Sequence, residues 1–327
     1  MMSPTYSRYP EIDPFAVHSL SVSALHTLYV EEVGTPSGIP VIFLHGGPGI
    51  GVLPSYRRFF DPKIFHVILF SQRGAVPSTP AGEVQENDTW ALVEDIETIR
   101  ERFDIDRWIV FGGSWGSTLA LAYALRHPTR VMGLVLRGIF LGRQRELDWL
   151  YREGASRFFP EHWQNFFNYI PSAEQGDLIT AYHKRLFDPD ARVHMPAAWS
   201  WVTWEDRLGT LLPGAPTPFT DESALAMARI ECHYMYNHLF FESDDYLLRE
   251  AHRLAGIPCH IVQGRYDMIC PAESALALAH ELPQAHLHLV LDAGHSSSEP
   301  GNTSELIAAM LSLSREMQMD RNIDARP

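Results

Sequence analysis

Short apolar runs recur along the chain, separated by longer stretches in which apolar residues return every three or four positions, and this alternation predicts strands joined by helices. Val17 to Ala24 and His26 to Val33 alternate in character and predict an antiparallel hairpin at a sheet edge. Val41 to Leu44, Phe65 to Phe70, Trp108 to Phe111, Val131 to Leu136, Cys259 to Gln263 and His286 to Leu291 read as further strands, most of them buried on both faces. Thr89 to Phe103 predicts a helix: Trp90, Val93, Ile96 and Ile99 fall close to one face, and Asp88 or Thr89 can cap it. Ala272 to Leu282 and Glu305 to Met317 predict two more helices, with a frayed tail from Asp320 to Pro327. Strands separated by helices at this spacing imply an α/β protein with a mostly parallel, doubly wound sheet.

From about Leu141 to Tyr246 the texture changes. No β-branched run appears, while Trp149, Tyr151, Phe158, Phe159, Trp163, Phe166, Phe167, Tyr169, Trp199, Trp201 and Trp204 crowd together. This predicts a helical cap domain over residues 141–246, inserted into a body made of residues 1–140 and 247–327. Most of its aromatics serve packing, and a few face a pocket. A cap over the carboxyl ends of the strands excludes water and adds specificity contacts.

A chain of 327 residues has room for such a body and insertion. Its net charge of -14 disfavours nucleic acid and anionic membrane surfaces as partners. The first twenty residues carry no basic segment followed by an apolar one, and no apolar run reaches membrane-spanning length. Cys232, Cys259 and Cys270 are odd in number and lack metal-ligand spacing, so neither a disulfide framework nor a zinc site is expected. A cytoplasmic protein is the expectation, with no inference about oligomeric state.

The chemistry enters at Gly112-Gly113-Ser114-Trp115-Gly116-Ser117, which follows an apolar strand and opens a small-residue helix. A G-x-S-x-G turn in that setting is a nucleophile elbow: the glycines permit a tight strand-to-helix bend that projects the Ser114 hydroxyl from a strained backbone. His45-Gly46-Gly47-Pro48-Gly49 follows another strand, and a backbone N–H there, from Gly47, can join that of Trp115 in holding an oxyanion. In the α/β-hydrolase fold the chain order is nucleophile, acid, histidine. Asp267 and His295 satisfy it on loops after late strands; Asp292 is a rival acid only three residues from His295, and His286 and His288 fall inside a strand. His295 acts as base when neutral, so activity is expected to fall as pH drops through about 6.5. No metal or cofactor is required.

Together with these motifs, Leu136-Arg137-Gly138-Ile139-Phe140, Trp149 with Glu153-Gly154-Ala155-Ser156, Trp204-Glu205, Ala228-Arg229-Ile230-Glu231 and Gly264-Arg265-Tyr266-Asp267 make the chain resemble the prolyl aminopeptidases, or proline iminopeptidases, over nearly its whole length. The resemblance implies a serine peptidase releasing N-terminal proline from small peptides. It implies Ser114, Asp267 and His295 as the triad, Glu205 and Glu231 as carboxylates for the free amino terminus, and Phe140 as a wall of the pyrrolidine pocket. Two close acids repel and one can take a proton; Arg137, if near them, would keep both ionised. Cys270, three residues past Asp267, reads as a packing cysteine beside the site. Ser71 to Thr79 departs from the usual Asp-Gln-Arg-Gly-x-Gly-Arg-Ser-Thr, which bears on pocket shape, and Leu150 stands where many relatives have an aromatic. The alternative is an esterase, lactonase or amidase of the same fold acting on small uncharged acyl groups; a non-catalytic ligand-binding member of the fold is a third reading.

Overall fold

The computed structural model describes residues 5–324, with side chains to 319. Eight strands form one sheet: β1 (Ala16–Ser21), β2 (Thr27–Gly34), β3 (Ile39–Leu44), β4 (Phe65–Phe70), β5 (Trp108–Ser114), β6 (Val131–Ile139), β7 (Cys259–Gly264) and β8 (His286–Val290). Their spatial order is β1-β2-β4-β3-β5-β6-β7-β8. The expected hairpin pairs β1 with β2 at one edge, β2 runs antiparallel to β4, and every other neighbouring pair is parallel.

The central strands read as continuous apolar runs because both of their faces are covered. One set of alternate residues, including Ile42, Leu44, Ile68, Phe70, Val110 and Leu134, packs beneath α1 (Thr89–Arg102) and α2 (Trp115–Arg126). The other set, Val41, Phe43, Val67, Leu69, Ile109 and Phe111, packs against Phe59, Phe60 and the apolar face of the last helix. Helix α1 starts where the Asp88 carboxylate accepts the N–H groups of Trp90 and Ala91.

Between β6 and β7 the described chain contains helices and single 3-10 turns. These helices are α3 (Gln144–Tyr151), α4 (Pro160–Tyr169), α5 (Leu178–Leu186), α6 (Ala191–Leu208), α7 (Asp221–Tyr236) and the short α8 (Tyr246–Glu250). Many of the crowded aromatics form the core of this helical layer: Trp201, Trp204, Phe166 and Tyr182 are all fully buried, with the Phe166 and Tyr182 rings stacked at 4.4 Å. The chain then returns through β7, α9 (Ala272–Glu281) and β8 to α10 (Pro300–Asp324). Helix α10 starts five residues before the expected Glu305, because Pro300 suits a first helical turn although Pro-Gly reads as a loop. It continues through Asp324, so Asp320 to Asp324 of the expected frayed tail are helical, and residues 325–327 lie outside the described ones.

The β5-to-α2 junction is the tightest point. A Cβ on Gly112 would lie 2.1 Å from the Gly116 carbonyl oxygen, and one on Gly116 would lie 2.1 Å from the Leu44 carbonyl oxygen. Strand, helix and the end of β3 therefore meet backbone to backbone. Between them Ser114 is held at φ 59°, ψ -128°, a conformation costly for any residue with a Cβ. Because glycine tolerates that conformation, Ser114→Gly should be more stable than Ser114→Ala by about 1 kcal/mol, both lacking the hydroxyl. Thermal or denaturant unfolding of the two variants checks this; equal stability would mean that no strain is stored at the elbow.

Candidate active site

A cavity of about 860 Å³ lies between the carboxyl ends of the strands and the helical layer. Ser114, Gly46, Gly47, Arg137, Phe140, Leu150, Cys270 and His295 line its floor and sides, and Glu205 and Glu231 line it from α6 and α7. The structure thus brings most of the sequence-predicted residues to one space. Asp267 lies just behind: its Oδ2 is 2.8 Å from His295 Nδ1, while its Oδ1 accepts the N–H groups of Ile269 (3.0 Å) and Cys270 (2.7 Å). Asp292, the rival acid, is exposed. The Asp267 contact places the histidine proton on Nδ1 and leaves Nε2 as an acceptor. Burial, reinforced by the Arg137 charge, pushes the His295 pKa below its ordinary 6.5 although Asp267 opposes the shift. The neutral, base-competent form therefore persists to lower pH than an unperturbed histidine allows.

Arg137 sits elsewhere than the condition placed on it. Its guanidinium packs over Gly113 and donates at 3.0 Å to both His295 Nε2 and the His295 carbonyl. It is next to the histidine and not paired with the glutamates, because its place on β6, opposite Gly113 of β5, aims it along the sheet's end. In this geometry the Ser114 hydroxyl lies beside the Cys270 thiol, and Arg137 occupies the acceptor of His295. Such contacts commonly tighten only when substrate is bound. The Gly46–Gly47 turn is close to the nucleophile, since a Cβ on Gly46 would lie 3.3 Å from the Ser114 Cβ. The Trp115 backbone opens α2 directly after Ser114, with its indole buried.

Glu205 and Glu231 face each other, both buried. Desolvation raises both carboxyls above the usual range, and the Glu205 charge pushes Glu231 well beyond it. Burial and the neighbouring charge thus favour the neutral form of the Glu231 carboxyl beside Glu205. The Tyr151 hydroxyl donates to Glu205, and the Trp201 indole N–H donates to Glu231 at 2.8 Å. Among the described residues no arginine is paired with the two acids, and their donors are the Tyr151 hydroxyl and the Trp201 indole.

Sequence reasoning missed four supporting residues. The Gln72 side-chain amide donates to the His45 carbonyl (2.9 Å) and accepts from the Trp115 indole (2.8 Å), tying the glycine loop to the elbow. Gln263 accepts from Ile139 N–H and donates to the Cys270 carbonyl and to Asp267. Tyr151 and Trp201 orient the glutamates. No periodicity marks such residues, since their partners are backbone groups or acids far along the chain. The departing segment Ser71 to Thr79 braces the site from behind: Arg73 makes a two-pronged buried pair with Asp95 at 2.7 Å, and among the described residues none of the segment lines the cavity.

The comparisons agree with this architecture. Residues 39–301 match the model of the alpha/beta hydrolase fold family. A probable proline iminopeptidase of Leptolyngbya boryana is 53% identical over 92% of this chain and 95% of its own length. A proline iminopeptidase of Arabidopsis thaliana is 50% identical over 92% of this chain and 80% of its own, and one of Xanthomonas citri is 49% identical over 92% and 97%. Among solved structures, an esterase from Exiguobacterium antarcticum superposes with a TM-score of 0.63 at 18% identity, over 89% of this chain and 96% of that one, which speaks to the fold alone.

Two acid limbs follow from the geometry. With His295 neutral as the working form and its pKa lowered, kcat/KM for a simple aryl ester should fall only below pH 6.5. For a substrate carrying a cationic amine the fall should be steeper, because Glu205, raised above 4.5, must also stay ionised. Paired pH profiles from 4.5 to 8 check this; an ester midpoint above 6.5, or identical slopes for both substrates, contradicts it.

Proposed function

The chain belongs to the proline iminopeptidase family of α/β hydrolases, and from that premise we propose that it is a serine aminopeptidase that releases N-terminal proline from small peptides. The observation that carries the reading is the buried pair Glu205–Glu231 in the wall of the cavity that holds Ser114. Two acids without a cationic partner are costly to bury, and a substrate's cationic terminus supplies the missing charge.

The steps are those of acyl transfer. A peptide enters with its terminal imino group against Glu205 and Glu231 and its ring against Phe140. His295 Nε2 takes the Ser114 proton as Oγ attacks the prolyl carbonyl, and Asp267 stabilises the resulting imidazolium. The Gly47 and Trp115 N–H groups hold the oxyanion. As the tetrahedral intermediate collapses, His295 gives the proton to the leaving amine and the C–N bond breaks. Water then attacks the acyl-enzyme with His295 again as base, and proline leaves with Ser114 restored. The helices of residues 141–246 act as the cap that supplies the amine anchor. An esterase, lactonase or amidase of the same fold would use the triad but leave the glutamate pair without a task.

A prolyl arylamide should be hydrolysed, and its N-acetylated analogue about a hundredfold more slowly, because the acyl group removes the charge and leaves the acids unpaired. Glu205→Gln should lower kcat/KM for the prolyl substrate by a similar factor. Equal rates on the free and acetylated substrates would overturn the aminopeptidase reading in favour of the esterase one.

A further inference from the structure

The polypeptide that joins the two glutamate-bearing helices is a strap over the cavity. It runs from Gly209, just past α6, to Thr220, which caps α7, and Thr210, Leu211 and Pro213 to Phe219 line the cavity. Three prolines, at 213, 216 and 218, stiffen it. At its α7 end the Asp206 carboxylate accepts the N–H and hydroxyl of Thr217, the former at 3.0 Å. At its α6 end a different residue takes over.

Glu299, which none of the catalytic steps uses, accepts the Leu211 N–H on Oε1 and the Gly294 N–H on Oε2, both at 2.8 Å. Gly294 immediately precedes His295. A second tie runs parallel, from the Ser296 N–H to the Gly209 carbonyl at 2.7 Å. The two backbones are so close that a Cβ on Gly294 would lie 2.8 Å from Leu211 N. Asn302 holds the same turn from the other side, donating to the Gly294 carbonyl (3.0 Å) and the Ser296 carbonyl (2.9 Å). One carboxylate thus bridges the loop of the base and the strap of the amine anchor. A carboxylate shared between two backbone donors is a strong tie.

We propose that Glu299 is a positioning residue that couples the two halves of the site: by clamping the 209–220 strap to the His295 loop, it sets the separation between the Glu205–Glu231 amine anchor and the Ser114–His295 pair. The inference rests on the aminopeptidase reading and assigns to one carboxylate the ruler that reading requires. Substrates that need both ends of the ruler depend on the clamp. A substrate that needs only the nucleophile and base does not.

The test compares wild type, Glu299→Gln and Glu299→Ala on a prolyl arylamide and on p-nitrophenyl acetate, with melting temperatures and pH profiles alongside. Glutamine keeps the size and one acceptor but loses the charge and the second acceptor. The expected result is a fall of about tenfold in kcat/KM for the prolyl substrate, chiefly through KM, with ester hydrolysis within about twofold, and a larger split for Glu299→Ala. The proposal is overturned if both activities stay within twofold. It is also overturned if both fall in parallel, with a lowered melting temperature (a merely structural role) or with an altered ester pH profile at unchanged melting temperature (action through His295 alone). Wild type that hydrolyses the ester but not the prolyl substrate would instead overturn the aminopeptidase reading, and the ruler with it.

Discussion

Two carboxylates facing each other without a cation is the constraint around which the helical layer is built. Burying one ionised acid costs several kcal/mol, and a second beside it adds repulsion, so both carboxyls are pushed towards the neutral form and need donors close by. Tyr151 from the end of α3 and Trp201 from within α6 supply those donors, and both rings belong to one stack: Tyr151 lies on Trp201 with centroids 4.7 Å apart. The aromatic crowding of residues 149–204 is therefore more than filling. It creates a rigid, water-poor wall in which O–H and N–H groups are aimed at two acids and little else can solvate them. On the proposed reading, a cationic terminus bound there exchanges water for groups already oriented, which would give selectivity for a free amine.

The floor of the cavity is rigid for a different reason. Backbones of β3, β5 and α2 meet at Gly112 and Gly116 with no side chain between them, which forces Ser114 into its strained conformation. Two buried glutamine side chains then fasten the surrounding loops: Gln72 links the glycine loop to Trp115, and Gln263 links Ile139, Asp267 and Cys270. A neutral amide offers a donor and an acceptor at once, so it can bridge two loops without placing a charge near the base. Charge beside His295 comes from Arg137, which helps keep the imidazole neutral and occupies its free acceptor.

What was legible in the sequence was whatever repeats or is local. Strand and helix positions followed from periodicity, and the order of Ser114, Asp267 and His295 followed from motifs at strand ends; the structure brings Asp267 and His295 into contact. Glu205 and Glu231 were reachable only through resemblance, since an acid on a helix looks solvated until the helix facing it is known. Arg137 was given a role only on the condition that it lay near the glutamates, and the structure puts it beside His295, because a residue's direction at a strand's end depends on the neighbouring strand. Gln72, Gln263, Tyr151 and Glu299 left no signal, as each acts on groups from distant segments. The start of α10 was hidden by a Pro-Gly pair that reads equally as a turn.

An exopeptidase must measure from a terminus, and measurement needs rigidity between two points that chemistry itself does not connect. Here the points lie on different layers: the nucleophile and base on loops of the sheet, the amine anchor on α6 and α7. Packing alone would let the helical layer rock against the sheet, since interfaces of that kind shift readily. On the proposed reading, a strap that begins at one anchor helix, ends at the other and is tied near its α6 end to the base's own loop restricts that freedom where it would change the measured distance. The same strap lines a cavity of about 860 Å³, large enough for more than a single compact ring. On the proposed reading, the tie between the 209–220 segment and the His295 loop belongs to the measurement as the triad belongs to the chemistry.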